Sequence, residues 1–326
     1  MGYESAAWHI AGMEDLPVLQ KCALNNGFLA NNYSAVNTIL YSQKYKALIS
    51  LTGEWFFEKY CDDDENTLAF SFPHNINGNK ENLKTTLDEL IHTQTGESEK
   101  NNIVAFKNIT AVEKDFLSLH FEINKIEPSP AYSDYIYLTE NLSKLPGSTY
   151  SKKRNHINQF KKKHPDFSFE LLDSHNISKV SEIEEKWLLE NTDSINSVQN
   201  NSSSGSDIDL QQERDIITNA LNNFKAFSSE AQMRGGILFV KNQPVAFCLS
   251  SLLSPLVTDI HFEKCLSDFA KDGGYAVINN EYAKTISTKY INREEDLGIE
   301  GLRKAKRSYY PETILEKFDV EIKVAK

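Results

Sequence analysis

The stretch GGILFVKNQPVAFCLSSLLSPLVTDIHFEK, residues 235–264, decides the fold class. Two apolar runs flank Lys241-Asn242-Gln243-Pro244, which predicts a hairpin. VTDIHFEK (257–264) alternates and predicts a third strand. GGYAVINNEYAKTIST (273–288) then reads as a helix entered through Gly273-Gly274, KYINRE (289–294) as a strand, and GLRKAKRSYY (301–310) as a last helix. The first half repeats this order. KALISL, WFFEKY and TLAFSF read as strands, and ENLKTTLDELIHTQTG carries Leu83, Leu87, Leu90 and Ile91 at helical spacing. NIVAF and AVEKDFLSLHF add a buried strand and a short helix. The expectation is an α/β (α+β) protein with two similar halves, each a mixed, mostly antiparallel sheet flanked by helices. Pro128 and Pro130 mark the division, giving domains 1–130 and 131–326, the second carrying the expected active site.

The 326-residue chain is 40% hydrophobic, 25% charged and 11% aromatic, a composition that is globular rather than disordered. No apolar run approaches the roughly 20 residues of a membrane-spanning helix, and MGYESAAWHI lacks the basic and apolar regions of a secretory signal. Cys22, Cys61, Cys248 and Cys265 are widely separated, with no C-x-x-C spacing. They read as reduced thiols of a cytoplasmic protein, and no metal site is expected. NTDSINSVQNNSSSGSDIDLQQE (191–213) predicts a mobile loop joining two helices, with its most mobile part at 194–208.

A net charge of −11 argues against a general nucleic-acid-binding surface. Yet SKKRNHINQFKKKHP (151–165) holds Lys152, Lys153, Arg154, Lys161, Lys162 and Lys163 with no acid. That run reads either as a solvated helix face or as a polyanion site. Gly273-Gly274 before a helix offers free backbone N–H groups for an anion. His261 and Glu263 project to one face of their strand, as a proton-transfer pair or as a satisfied core histidine beside an acid. In YINREEDLGIEGLRKAKRSYYP (290–311), acids lead and bases follow, as a helix dipole favours, and the cationic edge starts just after a strand end.

Three stretches carry a family resemblance: LPGSTYSKKRNHINQF (145–160), RGGILFVKNQPVAFCLSS with HFEK and GGYAVINNEYA, and INREEDLGIEGLRKAKRSYYP (291–311). The last is similar to the pattern N-x-E-x-D-L-G-x-x-G-L-R-x-x-K. On these residues the chain resembles the DUF2156 family, the phosphatidylglycerol lysyltransferase C-terminal domain, over essentially its full length. The resemblance implies two tandem GCN5-related N-acyltransferase folds, related to the Fem-type aminoacyltransferases. It implies transfer of an aminoacyl group from aminoacyl-tRNA to an amine or hydroxyl of a lipid or small molecule, with no cofactor required. Lys306 then matches an oxyanion-stabilising lysine, with His261, Glu263 and Asp296 as further catalytic candidates and Asp296 holding the substrate amine. Lys152, Lys153, Arg154, Asn155, Asn279, Asn292, Glu295 and Arg303 are the expected substrate-binding residues, the basic ones on the tRNA acceptor end. Gly273 and Gly274 are the expected phosphate loop, although KDGGYA departs from the acyl-CoA loop Q/R-x-x-G-x-G/A. An acyl-CoA donor and a non-catalytic binding module are the two alternatives. The geometry expected places Lys306, Asp296, His261 and the Gly273-Gly274 helix start on one cleft.

Overall fold

The structure, a computed structural model, describes residues 7–60, 68–95, 103–198 and 204–324, with the side chains of 68, 192–198 and 204–209 left out. In chain order it forms α1 (Leu16–Asn26), α2 (Ala35–Tyr41), β1 (Ala47–Thr52), β2 (Trp55–Tyr60), β3 (Leu68–Phe70), β4 (His74–Asn75), α3 (Leu83–Thr95), β5 (Ile103–Thr110), α4 (Ala111–His120), β6 (Ile123–Pro128), β7 (Asp134–Leu138), α5 (Thr139–Lys144), α6 (Ser151–Lys163) and β8 (Phe167–Leu171). It continues through α7 (Ser178–Val198), α8 (Ser204–Asn222), α9 (Phe224–Ala231), β9 (Arg234–Val240), β10 (Gln243–Ser254), β11 (Val257–Cys265), α10 (Ser267–Lys271), α11 (Gly274–Ala283), β12 (Tyr290–Asn292), α12 (Glu300–Arg307), β13 (Thr313–Leu315) and β14 (Lys317–Lys323).

One sheet runs β1-β2-β3-β5-β14-β6, with β4 on β2, and the other runs β13-β7-β12-β11-β10-β9-β8. Both are mixed for the same reason. A crossover containing α3 makes β3 and β5 parallel, and one containing α10 and α11 makes β11 and β12 parallel. The expected α/β architecture with two mixed sheets flanked by helices is therefore present. The hairpin that announced it turns through Lys241 and Asn242, both left-handed (φ 51° and 63°), which matches the twist of two-residue hairpins. Pro244 has no N–H to give the ladder, and a bulge follows it.

The chain divides into two compact units, Met1–Ile136 with Leu253–Leu256 and Glu294–Lys326, and Tyr137–Leu252 with Val257–Arg293. These differ from the sequence division at 130/131 because the C-terminus returns to the first sheet. The alternating residues Phe318, Val320 and Ile322 let β14 pair with β5 on one side and β6 on the other. The first unit's core joins Val320 and Ile322 to Phe70, Phe106, Ile109 and the α3 residues Leu87, Leu90 and Ile91. In the second unit, residues 244–250 of β10 are buried without alternation, as expected of a strand covered on both faces.

The mobile loop expected at 191–213, with its most mobile part at 194–208, is helical on both sides, as α7 to Val198 and α8 from Ser204, and residues 199–203 lie outside the described residues. Asn and Ser each reduce helix stability by only tenths of a kcal/mol, which two long helices tolerate. Cys22, Cys248 and Cys265 are free and buried, while Cys61 lies outside the described residues. Among the described residues no helix is long and apolar enough to cross a membrane.

Two glycines on helices should respond oppositely to the same substitution. Gly273 has φ +104°, and a Cβ there would lie 2.7 Å from the His156 carbonyl oxygen. Gly273→Ala should cost about 1–3 kcal/mol. Gly301, on exposed α12 with open space around it, should gain about 0.5–1 kcal/mol as Gly301→Ala. Denaturant midpoints of the two variants check both signs.

Candidate active site

The parallel ladder of β11 and β12 pairs Val257 with Tyr290, Thr258 with Ile291 and Asp259 with Asn292. There β12 ends, while β11 runs on to Cys265. The two strands therefore part at their carboxyl ends, where open α/β sheets place ligands. Arg293, the residue after β12, bridges the parting: its Nη2 donates to both Glu263 carboxylate oxygens at 3.1 Å. Asn279 of α11 donates to Glu263 Oε2 at 3.2 Å, and its own Oδ1 is buried without a hydrogen-bond partner. The Arg293 guanidinium lies 5.8 Å from the Tyr137 ring centroid. Lys153 of α6 is half-buried, and its amine is pulled down to about 8 by burial and by Arg293, against the opposing pull of Glu263.

The other parallel pair ends differently. The segments leaving β3 and β5 bring together His74 and Glu113, and Phe28, Tyr33 and His74 pack with ring centroids 4.4–4.6 Å apart. Tyr33 donates to Glu113 at 2.8 Å, and burial holds His74 down to about 3, a neutral ring. That strand end is plugged by aromatic packing.

The segment after Arg293 is strained and tightly held. Glu294 and Leu297 are left-handed at φ 55° and 51°, a conformation that costs non-glycine residues roughly 1 kcal/mol or more each. Asp296 anchors the turn from a fully buried position. Its Oδ2 accepts from Tyr135 Oη (2.6 Å) and Arg303 Nε (2.8 Å), and its Oδ1 from Gly298 N (2.9 Å) and Arg303 Nη2 (3.0 Å). Burial pushes the Asp296 carboxyl up, but Arg303, Tyr135 and Gly298 outweigh it and hold it below the usual range.

Beside this anchor lies Lys306, 8% exposed, its Nζ donating to the Glu295 carbonyl at 2.5 Å and lying 5.9 Å from the Tyr135 ring centroid. The Glu295 carboxylate accepts from Asn31 Nδ2 at 2.6 Å, and Glu294 accepts from Asn37 Nδ2 at 2.8 Å. Burial and the neighbouring Glu294 raise the Glu295 carboxyl to about 7, against the pull of Lys317 and Lys306. Lys317 in turn donates to Asn31 Oδ1 (2.5 Å) and Asp134 Oδ1 (2.8 Å).

The expected site residues thus fall into two groups. Asp296, Glu295, Arg303 and Lys306 belong to the first compact unit, whereas His261, Glu263, Asn279, Asn292, Gly273, Gly274 and residues 152–155 belong to the second. Asp296 was expected to hold a substrate amine; its lone pairs are instead filled by four donors, and Arg303 is spent on it. His261 has a fully buried side chain, hydrogen-bonded to Ser251 Oγ at 2.8 Å and 3.6 Å from Asp259, while Glu263 has Arg293 and Asn279. This geometry is that of a satisfied core histidine. Asn292 is also fully buried.

The basic run is divided in its use. Arg154 donates to the carbonyls of Leu145 and Gly147, Lys161 pairs with Glu281, and Lys163 with Asp272. Lys152, Asn155 and Lys162 are exposed. Both glycines of the expected phosphate loop have a packing cause, since a Cβ on Gly274 would lie 2.6 Å from Cys265 Sγ. Sequence reasoning passed over Arg293, Tyr135, Asn31, Asn37, Asp134 and Lys317. Only Arg293 had a local signal, as a cation closing a strand.

The family model described as phosphatidylglycerol lysyltransferase, C-terminal, matches residues 33–321. The chain belongs to this family. A crystal structure of a conserved protein of unknown function from Bacteroides thetaiotaomicron is 30% identical, covers 98% of this chain and 100% of its own, and superposes with a TM-score of 0.82. The structure of L-PGS from Bacillus licheniformis shares the fold at 11% identity and a TM-score of 0.61, covering 96% of this chain and 92% of its own. An uncharacterised protein of Mycoplasmoides gallisepticum is 20% identical over 235 residues, 72% of this chain and 70% of that one.

A carboxyl raised to about 7 weakens the fold as it ionises. Its stabilising effect is complete below the unfolded value near 4.5 and is lost as pH rises through about 7. Glu295→Gln, which resembles the protonated form, should match the wild type near pH 4.5 and exceed it by about 1–3 kcal/mol at pH 8. Urea unfolding at the two pH values reads the difference.

Proposed function

We propose that this protein is an aminoacyltransferase that moves an aminoacyl group from aminoacyl-tRNA to a hydroxyl or amine of a lipid or small-molecule acceptor. Family membership supports the transferase class. The observation that carries the chemistry is the buried Lys306 ammonium of α12, hydrogen-bonded to the Glu295 main-chain carbonyl and within electrostatic reach of the Glu295 carboxyl on the strained turn after β12.

An aminoacyl ester is already activated, so catalysis consists mainly of positioning and charge stabilisation. The acceptor oxygen or nitrogen attacks the ester carbonyl carbon, and its proton passes to Glu295, whose affinity near 7 suits a general base at neutral pH. The carbonyl oxygen becomes an oxyanion stabilised by the Lys306 ammonium, whose Nζ is held by the Glu295 main-chain carbonyl. When the intermediate collapses, the ester C–O bond breaks and the departing ribose oxygen recovers the proton. Asp296, Arg303 and Tyr135 hold the turn. Within the second unit, the pair Glu263–Arg293, with Lys153 and Asn279, forms a separate polar cluster at the strand parting. Exposed Lys152 and Lys162 are the cations of α6 most open to tRNA phosphates.

The test is transfer of a radiolabelled aminoacyl group from a panel of charged tRNAs into lipid and small-molecule extracts. Lys306→Met should lower the single-turnover rate about 10²–10³-fold, with the unfolding midpoint little changed. Transfer from acyl-CoA in place of charged tRNA, or full activity in Lys306→Met, would overturn the assignment.

A further inference from the structure

The second unit holds a buried charge arrangement that the transfer chemistry does not use. Lys264 of β11 stands near two acids and is bound to one of them. Its Nζ donates to Glu213 Oε2 of α8 at 2.7 Å and lies 3.4 Å from the ring centroid of Trp187 on α7. Glu184, three residues before Trp187 and so on the same face of α7, is 3% exposed. Both of its carboxyl oxygens are buried without a hydrogen-bond partner. Buried carboxyls are ordinarily hydrogen-bonded or paired, because uncompensated desolvation is costly. Burial raises the Glu184 carboxyl, and the charge of Lys264 opposes the rise. A closer ammonium would therefore favour the carboxylate.

The two helices are held to the rest of the unit unequally. α7 has a further polar tie, since Ser267 N donates to Glu190 Oε2 at 2.8 Å, and its Val180 and Ile183 are fully buried. α8 is packed from Ile216 onward, through the buried Ile216, Ile217 and Ala220. Before that point none of residues 210–215 is buried. Arg214 meets Glu185 of α7 at 3.5 Å, but this exposed pair contributes little.

We infer that Lys264 is a two-position latch for residues 210–215 of α8: bound to Glu213 it holds them down, and passed to Glu184 it lets them lift about Ile216. Trp187 is the pivot, because its ring faces the ammonium and stands one turn from Glu184. Glu184 is the acceptor that keeps the charge paired after release. A buried ammonium left alone would make release too costly for a working motion, and the second acid removes that penalty. Neighbouring residues of a strand point to opposite faces, so the latch works on one side of β11 while Glu263 keeps Arg293 on the other. The inference concerns motion within the second unit and is read without turnover, so it stands or falls apart from the proposed reaction.

The experiment is hydrogen–deuterium exchange of the full-length protein, read at the amides of 210–215, with unfolding midpoints of the same variants. Glu213→Gln should speed exchange there about 10–100-fold and leave the amides of α7 and β11 unchanged. Glu184→Gln should slow exchange at 210–215, since the latch loses its released position. The double variant should lower the unfolding midpoint by more than the two single losses together, because Lys264 then has neither acid. Lys264→Met keeps the test open if the double variant does not fold. It should speed exchange as Glu213→Gln does, and adding Glu184→Gln to it should change nothing further. Four results would each overturn the inference: unchanged exchange in Glu213→Gln, exchange that is not slowed in Glu184→Gln, additive midpoint losses in the double variant, or an effect of Glu184→Gln that persists without Lys264.

Discussion

The ammonium of Lys317 is 2% exposed and lies 2.8 Å from the fully buried carboxylate of Asp134. Everything at the Glu295 end of the candidate site depends on this pair. Asp134 also accepts from the Asn31 backbone, Lys317 fixes the Asn31 side-chain carbonyl, and the other end of that amide holds Glu295. Removing one member of a buried ion pair costs about 3–5 kcal/mol, because its partner is left charged and unsolvated. The first residue of the last strand is thus tied to the carboxyl that is proposed to take the proton. This gives a physical reason for the chain's return to its first sheet: β14 both completes the ladder and delivers the counter-charge.

The same network explains why Glu295 holds its proton so tightly. Burial and Glu294 act against ionisation, while Lys317 and Lys306 act for it, and the balance falls near neutrality. Had the two cations dominated, the carboxylate would be too weak a base; had they been absent, it would stay protonated. A similar opposition operates at the strand parting, where Lys153 loses proton affinity to burial and to Arg293. Lys153 belongs to the polar cluster of the second unit and Glu295 to that of the first, so each unit carries one perturbed group of its own.

Much of the fold was legible because its signals are local. The Lys241-Asn242 turn, the α3 periodicity and the glycine entry into α11 each act within about ten residues. β13 and β14 were not legible, since Phe318, Val320 and Ile322 acquire meaning only beside β5 and β6, some 200 residues upstream. The site divides in the same way. Lys306 and Asp296 stand in one short motif, and both are buried. The role of Asp296 did not survive, because which donors fill a carboxylate depends on Tyr135, far away in sequence. His261 looked like a base beside Glu263 until Ser251 and Asp259 supplied its partners. The basic run of α6 looked uniform because charge counts do not show which cations have internal acids or carbonyls to meet.

The central claim is that Glu295, poised near neutrality beside Lys306, takes the proton in the transfer step. The most direct measurement is the pH dependence of single-turnover aminoacyl transfer by the wild type and by Glu295→Gln. The account predicts a wild-type rate that rises with pH through an inflection near 7, and a Glu295→Gln rate that is low and lacks that inflection. A Glu295→Gln variant that keeps both the wild-type rate and the inflection would contradict it.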